Sequence, residues 1–426
     1  MQPLINEEKD IDMVKTGLKS HRSVFIRSIN QLSVQKPLTD EWFDKPVFYS
    51  ERRASTIDPD FSKHFPPLVA RRMCKLLKRA VMMSRLTLKE AAVEMPDAII
   101  SGTGLGCIDN TEHFLHSIIE NGEHLLQPTY FMQSTHNILS STIAIDLKCH
   151  GYNNTYVHRG VSFDNALADA VMQLNQGKIN TALVGAYEEM TDNYFTFFDR
   201  IGLWDFDSVA SSDSDDSINA INAIKSVDSV NSIDAIDSVN SIHSSESVNS
   251  ANSANSVPLI PFGCFSSEAS MNMLLTSERD DSAICEITDF DLIYTPSLDG
   301  LRHSLDALLE RAGCSLDDID AVLTGLNTHP ANDAVYRDAI LHLFATKPIL
   351  CYKHIFGESF ASSAMGFYAA VTCLRRGSIP SFMFAPEYAS PDLSTETKAR
   401  PVRRILIHNH FLNKSHSFIL LSSCSN

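Results

Sequence analysis

One stretch of this chain, Gly151 to Glu188, constrains its fold more than any other. Thr155, Tyr156 and Val157 form a short run of β-formers, and the sequence then breaks at Arg159-Gly160. Ala166, Leu167, Ala170, Val171 and Leu174 recur at helical spacing until Gly177 stops the helix. Thr181 to Val184 is an apolar run suited to a buried strand, closed by Gly185-Ala186. Strand, tight turn, helix and strand in this order can hold a nucleophile on an elbow. There the helix N-terminus favours a thiolate or alkoxide. The residue at the elbow is Gly160, which has no side chain.

A chain of 426 residues suits two domains or one large duplicated fold. No apolar run approaches the ~20 residues a membrane-spanning helix needs. Met1 to Lys19 is polar, without the apolar core of a signal peptide. Nine scattered cysteines with no C-x-x-C predict reduced thiols and a cytoplasmic protein. The net charge of −17 argues against nucleic-acid binding. Part of that charge is local, because residues 207–257 carry eight acids and one lysine. From Ile218 to Ile242 a Val or Ile stands at every third position among Ser, Ala, Asp and Asn. A period of three fits neither a strand nor an α-helix, so 207–257 is expected to be a disordered low-complexity insert. A short parallel stack is the alternative.

The 151–188 stretch resembles the nucleophile segment of the β-ketoacyl-ACP synthases (ketosynthases) of the thiolase-like superfamily. Their pattern is G-P, a strand ending T-A-C-S-S, a helix of small residues ending in Gly, and a buried strand closing on G-G-x-E. In this register the reactive cysteine falls at Gly160. Other segments follow in family order. Ala98 to Gly106 is similar to the family's strand and glycine loop, and Pro128 to Asn137 to its P-x-x-x-x-N segment. Pro261-Phe262-Gly263 stands for P-F-D, and Ser267 to Leu275 resembles G-E-G-A-G followed by a buried strand. Leu316 to His329 resembles the stretch carrying the first active-site histidine, and Leu350 to Glu358 the K-x-x-x-G-H segment. Arg404 to Leu421 replaces the last strand pair, with Phe411-Leu412-Asn413-Lys414 in place of G-F-G-G.

The resemblance implies a five-layered α/β/α/β/α thiolase-like fold of two similar halves, residues 23–206 and 258–426, with 207–257 inserted between them. It implies a degenerate site of Gly160, His329, Lys353 and Glu358. Gly160 offers no nucleophile, His329 keeps the first histidine, Lys353 keeps the lysine, and Glu358 replaces the second histidine. An anion at 358 opposes an enolate, and the side chains of 411–414 stand where bare backbone would approach a thioester oxygen. No cofactor or metal is implied. The expected function is a non-catalytic, chain-length-factor-like subunit. It would pair as a heterodimer with a catalytic ketosynthase through the strand preceding position 160, and would meet acyl carrier protein. The motifs resemble ketosynthase-like subunits of bacterial aryl-polyene and flexirubin-type pathways. The alternatives are an active synthase with an unrecognised nucleophile and a homodimeric acyl-carrier-binding protein.

Other residues have plainer readings. Arg71 to Met82 predicts a basic amphipathic helix, a solvated face or a dock for an acidic carrier. Gly102 to Gly106 lacks the third glycine and distant acid of a dinucleotide site. Cys149-His150 lies eleven residues before the elbow and reads as packing. Ser162 lacks the partners of a hydrolase triad. His158-Arg159 is expected to be structural, or to bind a carboxylate. His408 and His410 share one face of a strand, where a metal would need a third ligand.

Overall fold

The computed structural model describes residues 23–124, 126–203, 264–385, 388 and 401–424. The expected insert, Pro261-Phe262-Gly263 and the N-terminal nineteen residues lie outside the described residues.

Ten strands form one mixed sheet. They are β1 (Val24–Leu32), β2 (Ala98–Gly102), β3 (Tyr152–Tyr156), β4 (Thr181–Glu188), β5 (Ala269–Thr276), β6 (Cys285–Tyr294), β7 (Ala321–Thr324), β8 (Ile349–Leu350), β9 (Arg404–Phe411) and β10 (Ser415–Ser423). Their order is β3-β2-β4-β5-β1-β6-β10-β9-β7-β8. Numbered within its own half, each set of five runs third, second, fourth, fifth, first. The pairings repeat as well: the second strand is parallel to the third and fourth, and the fifth is antiparallel to the fourth and first. The halves join where β1 meets β6, through Val24–Ile287, Phe25–Glu286 and Ile26–Cys285. This repeated topology is the duplication expected from the sequence.

The main helices are α1 (Lys75–Glu90), α2 (Ile108–Asn121), α3 (Pro128–Ser134), α4 (Ile138–Leu147), α5 (Ser162–Asn175), α6 (Asp192–Arg200), α7 (Leu298–Arg311), α8 (Pro330–Leu343) and α9 (Ser362–Arg376). Strand alternation sorts side chains between layers. Ile99 and Leu183 face a core with α1 and α4, whereas their neighbours Ala98, Ile100, Ala182 and Val184 face a central core with α5 and α9. A third core joins α7 and α8 to the outer face of the second half. The layers are therefore helix, sheet, helix, sheet, helix. Helix α9 is buried on every face from Ser362 to Leu374, as a central layer requires. Its sequence has the small residues Ser362, Ser363, Ala364, Gly366, Ala369 and Ala370 that permit close packing.

The basic helix begins later than expected, at Lys75, runs on to Glu90, and is less solvated. Arg79 is wholly buried, because both ends of its guanidinium are taken. Asp58 accepts from Nε at 2.5 Å and from Nη2 at 2.8 Å, while Glu268 accepts from Nη1 at 2.9 Å and from Nη2 at 3.1 Å. Arg71, Arg72 and Lys75 remain exposed. The glycine loop after β2 cradles a carboxyl group of the protein itself. Gly104 N–H and Leu105 N–H donate to the Glu188 carboxylate at 2.7 and 3.1 Å. Burial nevertheless pushes the Glu188 carboxyl up to about 8. Among the described residues no helix is long and apolar enough to cross a membrane.

Candidate functional site

The elbow forms between β3 and α5 as one 3-10 turn, Arg159–Val161, with Arg159 at φ 52°. Ser162 clamps it. Its hydroxyl accepts from His158 N–H at 2.8 Å and lies 2.9 Å from the Thr103 carbonyl and 2.7 Å from that of Arg159. That occupation makes Ser162 a structural residue. Close approach of α5 to β2 needs Gly102, where a Cβ would stand 2.6 Å from the Ser162 carbonyl carbon. Gly160 faces a cavity of about 310 Å³, and a Cβ there would lie 2.5 Å from Cδ2 of Phe411. The Phe411 ring thus fills the space of an elbow side chain, held by an edge-on contact with Phe360 at 5.8 Å.

His329, Lys353 and Glu358 line the same cavity, so the four family positions converge although they lie up to 198 residues apart. His329 caps α8: Nδ1 accepts from Asn332 N–H at 3.4 Å and Nε2–H donates to the Gly202 carbonyl at 3.2 Å. Both ring nitrogens are thereby engaged with backbone. The loop before it is pinned by Asp333, whose carboxylate accepts from the N–H groups of Asn327 and Thr328, each at 2.9 Å. Lys353 Nζ donates to Glu358 Oε2 at 2.6 Å, and Asn327 Nδ2 donates to the same oxygen at 2.7 Å. Burial works against the Lys353 ammonium, but Glu358 outweighs it and holds the group protonated, above the ordinary lysine range. Glu358 therefore serves as the counter-ion of Lys353.

The hairpin between β9 and β10 closes the cavity. Lys414 N–H donates to the Phe411 carbonyl at 3.0 Å, and Leu412 and Asn413 both have left-handed φ, 52° and 53°. That is the pattern of a type I′ turn, here with a leucine at a position that favours glycine. His410 lines the cavity and donates from Nε2 to the Asn332 carbonyl at 3.0 Å; His408 Nε2 and His416 Nδ1 stand 3.2 Å apart. His408 and His410 both pack on Tyr336, confirming their shared face. Burial holds all three imidazoles neutral, His416 down to about 4. Among the described residues no cluster could hold a metal ion.

The sequence reading missed the counter-ion role of Glu358 and the buried Arg79 pair. It also missed Cys264, whose buried thiol lies 3.8 Å from the Lys353 carbonyl. Burial first, and then Glu358, push that thiol well up, so it stays protonated. Cys149 lies behind α4 with its thiol on the Pro96 carbonyl at 3.3 Å, and does not line the cavity. His158 and Arg159 are exposed beside the elbow.

Residues 41–206 match the family model described as Beta-ketoacyl synthase, N-terminal domain. That stretch is similar to the β-ketoacyl synthase N-terminal domain. The solved ishigamide ketosynthase/chain length factor superposes on this chain with a TM-score of 0.67 at 17% identity, covering 95% of this chain and 100% of that one. A beta-ketoacyl synthase from Burkholderia phymatum STM815 gives 0.66 at 13% identity, with the same coverage. The AntDE:AntF assembly, a type II PKS acyl-carrier protein in complex with its ketosynthase bound to the hexaketide, gives 0.67 at 14%, again covering 95% and 100%. Identities this low speak for the fold alone. No curated protein sequence matches the chain.

Proposed function

We propose that this chain is a non-catalytic ketosynthase-like subunit, acting as a chain length factor acts, beside an active β-ketoacyl-ACP synthase in fatty-acid or polyketide elongation of the aryl-polyene type. The observation that carries this reading is the elbow. Gly160 has no nucleophile, and Phe411 occupies the volume one would need. Acyl transfer through a covalent intermediate requires an activated side chain at that point. Cys264, whose thiol lies beside the Lys353 carbonyl, is buried and protonated. That favours the inactive reading over a synthase with an unrecognised nucleophile.

The open edge of β3 supports a partner. Apolar side chains stand exposed around it: Leu115 and Ile119 on α2, Phe131 and Met132 on α3, and Ile145 on α4. Such a patch beside an unpaired strand edge suits a second ketosynthase-like subunit better than solvent. Exposed Arg71, Arg72 and Lys75 suit an acidic carrier protein. The two halves, 23–206 and 258–426, act as one body around the shared α5–α9 layer, with 207–257 as an insert, in the cytoplasm. Co-expression with an active ketosynthase, followed by native mass measurement, tests the pairing. A one-to-one heterodimer is expected, and exclusive homodimers would favour a homodimeric carrier-binding protein.

A further inference from the structure

Three buried polar side chains meet at one corner of the cavity. Asp164, one turn into α5 from Gly160, is wholly buried; Oδ1 accepts from the Ser417 hydroxyl at 2.6 Å, and the carboxyl also faces Ser363 and Asn409. Ser363 on α9 and Asn409 on β9 line the cavity and are only 5% and 4% exposed. Ser363 Oγ and Asn409 Nδ2 have no partner other than the Asp164 carboxyl. Both side chains face the Asp164 carboxyl. Ser363 Oγ keeps its lone pairs and Asn409 Nδ2 its second N–H at the cavity wall, a donor and an acceptor that a ligand can meet.

We propose that this corner is a subsite for an acyl chain that carries a hydroxyl group. The inference rests on the reading that the cavity receives acyl thioesters. The chemistry follows from counting donors and acceptors. Burial pushes the Asp164 carboxyl up, and the hydrogen bonds from Ser417, Ser363 and Asn409 favour its ionised form. Ionised, it only accepts, so the Ser363 proton turns toward Oδ2 and leaves the serine lone pairs facing the cavity. Beside them stands an Asn409 N–H. The wall then presents one acceptor and one donor. A chain hydroxyl satisfies both, giving its proton to Ser363 and accepting from Asn409. A ketone satisfies only the asparagine. A methylene satisfies neither, and it excludes the water that would otherwise fill the corner.

The test is equilibrium binding of octanoyl-pantetheine and its 3-, 5- and 7-hydroxy isomers to the full chain at pH 8. At least one hydroxy isomer is expected to bind roughly 10-fold tighter than octanoyl, since a built polar site discriminates strongly against a ligand that leaves it unpaired. Ser363→Ala is expected to fold normally and to bring that ratio to within about twofold. Asn409→Ala should do the same, and the serine variant decides alone if the asparagine variant fails to fold. Octanoyl binding as tightly as every hydroxy isomer overturns the subsite while leaving the acyl-binding reading intact. So does a preference that survives Ser363→Ala. If no thioester binds, the acyl-binding reading falls and the subsite with it.

Discussion

The ring of Phe411 stands where a side chain on Gly160 would have to go, with 2.5 Å between Phe411 Cδ2 and an added Cβ. The bare elbow and the ring that fills its space are therefore one structural feature, shared between the elbow and the β9–β10 hairpin. Gly160→Cys alone should lower stability by about 1–3 kcal/mol, the usual result of overpacking. Adding Phe411→Ala should recover most of that loss and make the new thiol reactive toward iodoacetamide. Urea denaturation and alkylation rates check this pair. Equal stability of Gly160→Cys and the wild type would mean that the ring moves freely.

Lys353 and Glu358 form a second coupled pair, with Nζ and Oε2 at 2.6 Å and both side chains largely buried. Glu358→Leu leaves an ammonium without its counter-charge and should cost roughly 3 kcal/mol. The double variant Glu358→Leu/Lys353→Met should regain most of it. A double-mutant cycle by chemical denaturation measures the coupling. An additive result would show that Glu358 does not hold Lys353.

The arginines of the 71–79 segment should separate by role. Arg79→Ala removes the shared partner of Asp58 and Glu268 and is expected to cost about 3 kcal/mol, because it leaves the buried Glu268 carboxylate only Lys75 as counter-charge. Arg71→Glu with Arg72→Glu changes exposed residues and should alter stability by less than about 0.5 kcal/mol. The same double charge reversal should weaken carrier-protein binding by roughly tenfold or more at low salt. Carrier affinity unchanged by it would place the dock elsewhere.

Stability should peak near neutral pH. His354 and His416 have native pKa values of about 4, and His408 and His410 lie well below the usual 6.5, in each case through burial. Between pH 6.5 and 4 the unfolded chain binds these protons and the native chain does not. Their contribution is thus present above pH 6.5 and lost as pH falls toward 4. Glu188 and Glu189, raised by burial to about 8 and about 7, act in the opposite direction. Their contribution is present below the ordinary carboxylate range and is lost as pH rises from 4.5 to 8. The histidines dominate the acid side and the glutamates the neutral side, so Tm should pass through a maximum at roughly pH 6 to 7. A Tm that rises monotonically from pH 5 to 8 would contradict these assignments.

Much of this was legible in the sequence because it is written in local periodicity. The strand, break, helix and strand of 151–188 appear as β3, the elbow, α5 and β4, with boundaries shifted by a few residues. The repeated strand order could be anticipated only through the family resemblance, since pairing between distant strands leaves no local signature. Arg79 looked like one more base on a basic helix; its burial depends on Glu268, nearly two hundred residues away. Likewise, Glu358 reads in sequence as a misplaced anion. Only the fold shows that it neutralises Lys353. The polar corner of Asp164, Ser363 and Asn409 joins three elements from both halves and has no sequence signature at all.

The account rests most heavily on the absence of a working nucleophile, and intact-protein mass spectrometry tests that most directly. The purified chain would be incubated with acyl- and malonyl-loaded carrier protein, with an active ketosynthase as the positive control. The mass of this chain should remain unchanged while the control gains one acyl group. A stable acyl adduct on any residue of this chain would contradict the account.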